Sequence, residues 1–159
     1  MRPYRLAQTT VEHLADLKGR MRKLDDQECQ AVNGEDAYNA ALRGFKESDV
    51  CMTLLIDGRP EAVGGVVDAG DGAGLVWLLG TDELSESKEG KTWLLTEAKA
   101  EIEKLLSKYY SIFNFVEARQ TRIIQWLKRV GFTIGEARPF GVEGKDFYLF
   151  YKTGGKQYV

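Results

Sequence analysis

The sequence has few of the residues that build metal sites, disulfides or nucleophilic triads. Its 159 residues include one His and two Cys, whereas a zinc site needs a tetrahedral set of closely spaced ligands. Cys29 and Cys51 form an isolated pair, which is typical of thiols kept reduced rather than of a disulfide framework. A Ser-His-Asp triad would have to use His13, which lies in an amphipathic stretch of helical spacing. We therefore expect no metal site and no disulfide.

The sequence also has no large excess of positive or negative charge, and it has no long apolar run. With 22 Lys plus Arg against 24 Asp plus Glu, the formal net charge is −2, so the chain lacks the basic surface that neutralises nucleic-acid phosphates. A small basic cluster at residues 18–23 is expected to be a solvated helix end rather than a site for RNA or an acidic partner. The apolar runs fall far short of the roughly 20 residues that cross a bilayer. The first five residues, Met-Arg-Pro-Tyr-Arg, are not an apolar signal segment, so we expect a cytoplasmic protein without nucleic-acid or membrane partners.

The chain is long enough for one domain with its own core. Its 159 residues correspond to a single domain, since domains run to roughly 100–200 residues. Apolar residues make up 43% and charged residues 29%, which is typical of a globular protein. We assign residues 1–152 to that domain and expect the polar, glycine-rich residues 153–159 to be a flexible tail.

Strand and helix periods alternate along the chain and define a fold class. The expected strands are residues 4–8, 50–56, 61–67, 75–79, 112–116, 132–136 and 147–152. The expected helices are residues 11–23, 35–45, 92–109 and 120–130. The continuous apolar run 75–79 predicts a strand buried on both faces, and residues 81–91 predict a polar loop. This order predicts an α/β fold whose mixed, mostly antiparallel sheet has six to seven strands and is flanked by four helices.

Two segments resemble a known enzyme family. Residues 120–132 run from Gln-Thr-Arg to Val-Gly-Phe and are similar to the strand-then-helix segment, ending in Gly-Phe, of the GNAT N-acetyltransferases. Gln120 stands at the Asn position of that segment and Leu127 at its Tyr position. Residues 87–92, Ser-Lys-Glu-Gly-Lys-Thr, are similar to the pyrophosphate loop of the same family, with Gly90 at a loop glycine. The resemblance implies a GNAT-like fold over nearly the whole chain.

A narrower likeness covers roughly residues 50–152. The strand 112–116, the helix ending at Gly131 and the final aromatic strand 147–150 resemble a family of small tailed-phage proteins, described as internal core or internal virion proteins. This likeness implies a phage protein in the host cytoplasm or the virion. Its partners would then include phage portal and core proteins.

The GNAT resemblance implies an acetyl-CoA-dependent N-acyltransferase acting on an amine, such as a protein lysine or N-terminus. Backbone amides at the start of the 92–109 helix would hold the pyrophosphate, and a strand at 77–80 that diverges from strand 112–116 would hold the pantetheine arm. The implied CoA-binding residues are Leu78, Leu79, Gly80, Ser87, Lys88, Glu89, Gly90, Lys91, Thr92 and Gln120. The alternatives, an ordinary capped helix and a plain buried strand pair, are open at this point.

The reaction also needs a base and, in this family, an acid. Asp82, Glu83 and Glu117 are the candidate bases, with Asp68 as a further one, because each follows a strand at the expected cleft. A carboxylate at such a position is more often a solvated strand end than a base. Leu127 has no proton to donate in place of the family Tyr, although Tyr109, Tyr110 and Tyr148 are other possible donors.

These departures favour a second hypothesis. A phage core or assembly protein without catalytic activity would retain the fold as a scaffold.

Overall fold

The computed structural model describes residues 1–154, which form one seven-stranded sheet with helices on both faces. The strands are β1 (Tyr4–Gln8), β2 (Val50–Ile56), β3 (Arg59–Gly70), β4 (Ala73–Gly80), β5 (Ser111–Glu117), β6 (Thr133–Phe140) and β7 (Lys145–Thr153). The helices are α1 (Val11–Leu17), α2 (Lys23–Asn33), α3 (Ala37–Glu47), α4 (Asp82–Glu86), α5 (Lys88–Thr92), a π-helical turn (Trp93–Glu97), α6 (Ala98–Leu105) and α7 (Thr121–Arg129).

The sheet confirms the predicted fold class. Its strand order is β1-β2-β3-β4-β5-β7-β6. The β4–β5 pair is parallel and the other neighbouring pairs are antiparallel. The parallel pair arises because a helical crossover, α4 to α6, connects β4 to β5. A mixed, mostly antiparallel sheet with helices on both faces is therefore the architecture of the described chain.

The predicted count of four helices is wrong, because α2 and α4 were not foreseen. The first helix stops at Leu17, and the chain turns through Gly19, which has a positive φ of 79°. A separate α2 then begins with Asp25 and Asp26 in its first turn, where the helix dipole favours acidic side chains. It ends at Gly34, whose left-handed φ of 71° closes the helix.

Residues 81–91 also form helix rather than loop. The Thr81 hydroxyl accepts a hydrogen bond from the Glu83 amide and so begins α4. Ser87 then ends α4 and begins α5. The hydrogen bond from the Ser87 hydroxyl to the Glu83 carbonyl, 2.6 Å long, holds the two short helices together.

The two faces of the sheet carry separate parts of the core. On one face α1 and α3 pack against β3 through Leu14, Leu17, Ala41 and Val63. On the other face α6 and α7 pack against the central strands, and the buried residues there include Val66, Ile112, Val116, Ile124, Leu127 and Phe150. No helix within residues 1–154 is both long and apolar enough to cross a membrane.

The C-terminal boundary differs from the prediction. Thr153, assigned to the tail, belongs to β7, and the Gly154 amide donates to the Tyr110 carbonyl at 2.8 Å. Residues 155–159, the rest of the predicted tail, lie outside the described residues. The assignment of residues 1–152 to one domain stays a prediction.

The centre of the sheet is forked. The strands β4 and β5 pair only where residues 73–75 meet residues 111–113, and they diverge beyond that point. Asn114 lies at the branch point: its amide nitrogen donates to the Val76 carbonyl of β4 at 2.6 Å, and its amide oxygen accepts from the Phe115 amide of β5 at 2.7 Å. One side chain thus satisfies the first backbone groups that the two strands leave unpaired.

The fork also corrects the prediction for the apolar run 75–79. This stretch of β4 is only partly buried along its length. The reason is that β4 has lost its neighbour on the β5 side. In this chain the continuous apolar run belongs to a strand that lines an opening. The prediction of a strand buried on both faces is therefore wrong.

We predict that Asn114→Ala lowers the free energy of unfolding by about 1–3 kcal/mol, because it leaves a part-buried carbonyl and a part-buried amide without partners. The matched control is Asn39→Ala, whose side chain makes an exposed hydrogen bond to Asp36; we expect a change within about 0.5 kcal/mol. Urea unfolding monitored by tryptophan fluorescence measures both values. Equal effects of the two substitutions would show that Asn114 does not hold the fork.

Candidate functional site

The edge of β4 that faces the fork presents free backbone groups. Strand alternation directs the N–H and C=O groups of Val76, Leu78 and Gly80 toward β5. The Val76 carbonyl accepts from Asn114, and the Gly80 N–H and C=O both bind α2. Leu78 lies between them, and within the described chain neither β5 nor α2 reaches its N–H and C=O. The backbone N–H and C=O of Leu78 therefore face the opening as a free donor and a free acceptor.

Helix α2 crosses the wide end of the fork. The Gly80 amide of β4 donates to the Asp25 carboxylate at 2.9 Å, and the Arg22 amide donates to the Gly80 carbonyl at 2.8 Å. On the other branch, the Glu117 backbone amide of β5 lies close enough to the Glu28 carboxylate to favour its charged form. Two carboxylates one helical turn apart thus lie at the carboxyl ends of both strands.

This arrangement gathers three carboxylates, those of Asp25, Glu28 and Glu117, at the wide end of the fork. Burial, together with the negative charges of Asp25 and Glu117, raises the pKa of Glu28 to about 7. Burial also raises the pKa of Asp25, although the guanidinium of Arg22 opposes it. Glu117 is 8% exposed and pairs with Arg119. Glu28 is therefore a carboxyl group that exchanges its proton near neutral pH.

An apolar cavity lies between the sheet and the helices beside the fork. Its volume is about 180 Å³. Its lining includes Val76, Leu78, Trp93, Ile102, Leu105 and Leu127. A wider depression of about 590 Å³ between α2 and α3 is open and lined by charged side chains such as Glu35 and Arg43, which pair with each other. Of these two, the smaller cavity provides an apolar space next to free backbone groups.

The predicted pyrophosphate loop is a helical turn in which backbone amides already have partners. The Gly90 amide donates to the Ser87 hydroxyl at 2.9 Å, and the Lys91 amide donates to the Ser87 carbonyl at 3.0 Å. The Thr92 hydroxyl donates to the Lys88 carbonyl at 2.7 Å. The expectation of an open loop at residues 87–92 is therefore wrong, while its role in CoA binding stays a prediction.

A buried carboxylate lies at the same turn. Glu89 is 5% exposed, and its carboxylate accepts from the Arg2 backbone amide at 3.0 Å and from the Arg2 Nε at 2.9 Å. Hydrogen bonds from Arg2 and from the amide of Glu89 itself lower the pKa of Glu89 to about 2. The Arg2 guanidinium also binds Glu83 at 2.6 Å. The start of α5 thus holds an ionised side chain of the protein itself.

Packing within the chain explains the glycine of this turn. A Cβ atom at Gly90 would collide with the carbonyl oxygens of Leu84 and Glu83 in α4. Glycine is needed here because α4 folds back onto α5. The resemblance to the pyrophosphate loop implied that Gly90 lets a ligand approach the backbone. In the structure, the group that lies against Gly90 is the backbone of α4.

The predicted bases lie in different places. Asp82 is exposed on the first turn of α4, Glu83 pairs with Arg2, and Asp68 caps the exposed turn after β3 by accepting from the Gly70 amide. Glu117 alone among these candidates lies at the wide end of the fork. Sequence reasoning missed Asp25 and Glu28 because it did not recognise α2. The acidic pair Asp25-Asp26 and the Asn33-Gly34 terminator are signals that would have indicated this helix.

The other predicted residues also have defined positions. Leu79 pairs with Val63 of β3 and turns its backbone away from the fork. Gln120 immediately precedes α7 and makes no side-chain cap. Leu127 is 4% exposed in the core. The Tyr109 hydroxyl donates to Asp49 at 3.0 Å, on the narrow side of the fork. Leu78, Gly80 and Glu117 are thus the predicted residues that the fold brings together.

We predict that Gly90→Ala destabilises the protein by about 2 kcal/mol or more, because the added methyl group meets two backbone carbonyls rather than a mobile side chain. Gly135→Ala is the control: its Cβ would lie 3.4 Å from the nearest atom, an oxygen of Leu149, so we expect no loss. Thermal and urea unfolding measure both variants. A neutral Gly90→Ala would show that α4 does not pack on α5 as described.

The fold, but not the sequence, is similar to that of known proteins. No protein-family model matches the chain, and no curated protein matches it. Among solved structures, Ard1 from Thermoplasma volcanium has a TM-score of 0.70 at 13% identity, covering 96% of this chain and 99% of its own. Spermidine N-acetyltransferase from Vibrio cholerae, in complex with CoA and spermine, has a TM-score of 0.68 at 7% identity, with 96% of each chain covered.

A third similar structure is described as a member of the GNAT family. An acetyltransferase of the GNAT family from Streptococcus pneumoniae has a TM-score of 0.63 at 13% identity, covering 96% of this chain and 100% of its own. None of these three is a phage protein, so they give no support to the narrower phage resemblance. At these identities the likeness is one of fold, and the fold of this chain is that of the GNAT acetyltransferases.

Proposed function

We propose that the chain is an N-acyltransferase that moves an acyl group from a pantetheine thioester to an amine. The observation that carries the proposal is the unpaired Leu78 backbone in the fork, beside the apolar cavity. A pantetheine arm is an extended chain with two amide groups, so it can pair with a free strand edge as an added strand does. Acetyl-CoA, the donor that the GNAT resemblance implies, is one such thioester.

The Leu78 amide also suits the reacting carbonyl. When the amine nitrogen attacks the thioester carbon, a C–N bond forms and negative charge develops on the carbonyl oxygen. A fixed backbone N–H in a water-poor site stabilises that charge, because it needs no reorientation during the reaction. The attacking nitrogen gives up its second proton to solvent, the C–S bond breaks, and the thiolate leaves as the amide forms.

Glu28 is the base of this proposal. An amine that enters as an ammonium ion must lose a proton before it can attack, and the Glu28 carboxylate accepts that proton. A base with a pKa near 7 is well matched to a neutral medium, and the pKa of Glu28 is raised to about 7. Asp25 and Glu117 are paired with Arg22 and Arg119, so the charge that attracts a cationic acceptor is that of the ionised Glu28.

The leaving thiolate has no tyrosine donor at the family position. Leu127 lies buried there and has no proton to give. A thiolate is a fair leaving group, so the reaction proceeds without a positioned acid. Leucine in place of tyrosine removes the proton donor for the thiolate. It does not affect the attack of the amine on the thioester or the role of Glu28 as base.

A role without catalysis is the second candidate. It is favoured by the ionised Glu89 at the start of α5 and by Leu127 in place of tyrosine. In this alternative the fold serves as a scaffold, for example in a phage core with portal and core proteins as partners. Binding of a thioester with turnover would contradict it.

The direct test measures binding and transfer in the same preparation. Calorimetric titration with acetyl-CoA and with S-acetylpantetheine measures binding, and mass spectrometry of a mixture of diamines, lysine peptides and N-terminal peptides measures acylation. We expect binding of at least one thioester and acylation of a cationic amine. No binding and no product with either thioester would remove the enzyme proposal in favour of the scaffold.

We predict that Glu28→Gln lowers kcat/KM by about 10²–10⁴-fold, because it removes the proton acceptor while keeping an oxygen for the Glu117 amide. In the unsubstituted protein kcat/KM should rise as the pH passes through 7, and the variant should lose this dependence. Glu86→Gln, which removes an exposed carboxylate of α4, is the control and should retain the profile. A retained pH dependence in Glu28→Gln would assign the base elsewhere.

The same residue gives a prediction for stability. Because burial raises the pKa of Glu28 from 4.5 to about 7, the folded state binds a proton more tightly than the unfolded state. Its contribution to stability is complete below pH 4.5 and is lost as the pH rises through 7. Glu28→Gln should therefore match the unsubstituted protein near pH 4.5 and exceed its unfolding free energy by about 1–3 kcal/mol at pH 8. Urea unfolding at both pH values measures this, and a variant that is less stable at pH 8 would contradict it.

A further inference from the structure

The start of α5 is closed to an anion by side chains from distant parts of the chain. Glu89 is buried and holds the Arg2 backbone amide and Nε within 3.0 Å. Arg2 in turn binds Glu83 of α4. The N-terminal residues therefore lie across this turn, fixed there by two carboxylates.

The backbone at this turn has little left to offer a ligand. The amides of Gly90 and Lys91 are occupied by Ser87, and the Glu89 carboxylate lies beside them and binds Arg2. The turn cannot easily open to release them, because Gly90 is in contact with the carbonyls of α4. A diphosphate would have to break these contacts to gain the same donors.

The charges at the start of α5 also disfavour binding of a diphosphate. A diphosphate is an anion, and the Glu89 carboxylate beside it would repel it, with little screening because that carboxylate is buried. The Arg2 guanidinium is already neutralised by Glu83 and Glu89. Lys88 and Lys91 are exposed on α5 and supply charge without a fixed geometry. The three side chains fixed at this turn are one cation, Arg2, and two anions, Glu83 and Glu89, so the fixed charge is net negative and does not favour a nucleoside diphosphate.

The opening near Leu78 differs from the start of α5 in its backbone groups and in its charge. Its backbone donor and acceptor are free, and the cavity beside it is lined mainly by apolar side chains. These features fit the uncharged, amide-containing pantetheine arm and its acyl thioester. The residues present thus fit one half of CoA and not the other.

We propose that the acyl donor of this protein is a pantetheine thioester without the adenosine diphosphate of CoA, and that Glu89 is the residue that determines this selectivity. The inference rests on the proposed N-acyltransferase function. Such thioesters occur free, as S-acylpantetheine, and on acyl carrier proteins, as the protein-bound 4′-phosphopantetheine arm. Both present the same reacting chain to the fork.

The first test compares donors on the unsubstituted protein. Transfer to the amine identified in the assay above is measured with S-acetylpantetheine, acetyl-CoA and an acetylated acyl carrier protein. We expect kcat/KM for S-acetylpantetheine to equal or exceed that for acetyl-CoA. A preference for acetyl-CoA of about 100-fold or more would overturn the inference and leave the proposed function standing. A carrier-protein rate above that of free S-acetylpantetheine identifies the protein-bound source, and the reverse identifies the free one.

The second test removes the charge. Glu89→Gln keeps the size of the side chain and leaves Glu83 as the carboxylate partner of Arg2, so it should raise kcat/KM for acetyl-CoA by about tenfold or more while leaving S-acetylpantetheine within about twofold. Glu86→Gln removes a charge from the neighbouring helix and should change neither donor. Equal gains in both variants would indicate a general effect of net charge and would overturn the role of Glu89.

A binding measurement keeps the inference testable if Glu89→Gln does not fold. Pantetheine and CoA are compared as inhibitors of the unsubstituted protein with S-acetylpantetheine as donor. Similar inhibition constants support the inference, since the adenosine diphosphate then adds no affinity. Inhibition by CoA about 100-fold stronger than by pantetheine contradicts it. If neither thioester is turned over or bound, the proposed function fails and this inference fails with it.

Discussion

The binding of α2 to the ends of two diverging strands is the interaction on which the rest of the structure depends. When β4 and β5 separate, their backbone groups lose the partners that a closed sheet would supply, and an unpaired amide in a shielded place is costly. The Asp25 carboxylate replaces the lost partner at Gly80, and Glu28 lies beside the Glu117 amide. Burial raises the pKa of both carboxyl groups, so their ionisation lowers the stability of the folded state. The burial that makes the charge of Glu28 costly is also what makes Glu28 suitable for proton transfer near neutral pH.

Much of the fold could be predicted from the sequence, because strands with a two-residue period and long amphipathic helices leave a strong pattern. All seven strands lie where the pattern indicated, with end shifts of a few residues. Helices α2 and α4 could not be recognised in the same way. Each is short or polar, and the buried side of α2 includes Asp25 beside Ala31, so hydrophobic periodicity does not mark it. Arg20 and Arg22, expected in a solvated cluster, instead bind Glu61 and Asp25.

The candidate site could be predicted only where it depends on strand ends. Leu78 and Glu117 follow from the positions of β4 and β5, but the contacts that define their surroundings join distant residues. Gly80 meets Asp25 across 55 positions of the chain, and Glu89 meets Arg2 across 87. No local pattern encodes such pairs. Gly90 illustrates a second limit, since a glycine forced by helix packing and a glycine that admits a ligand are identical in sequence.

In the proposed reaction, the carboxylates at the two ends of the opening act on different molecules. At the wide end, the ionised Glu28 attracts a cation and accepts its proton. At the start of α5, the ionised Glu89 repels an anion and is held in place by Arg2. Between them lie the Leu78 backbone, which is uncharged, and a cavity lined mainly by apolar side chains. An uncharged donor arm and a cationic acceptor are the pair of substrates that this distribution favours, since each enters the region whose field does not oppose it.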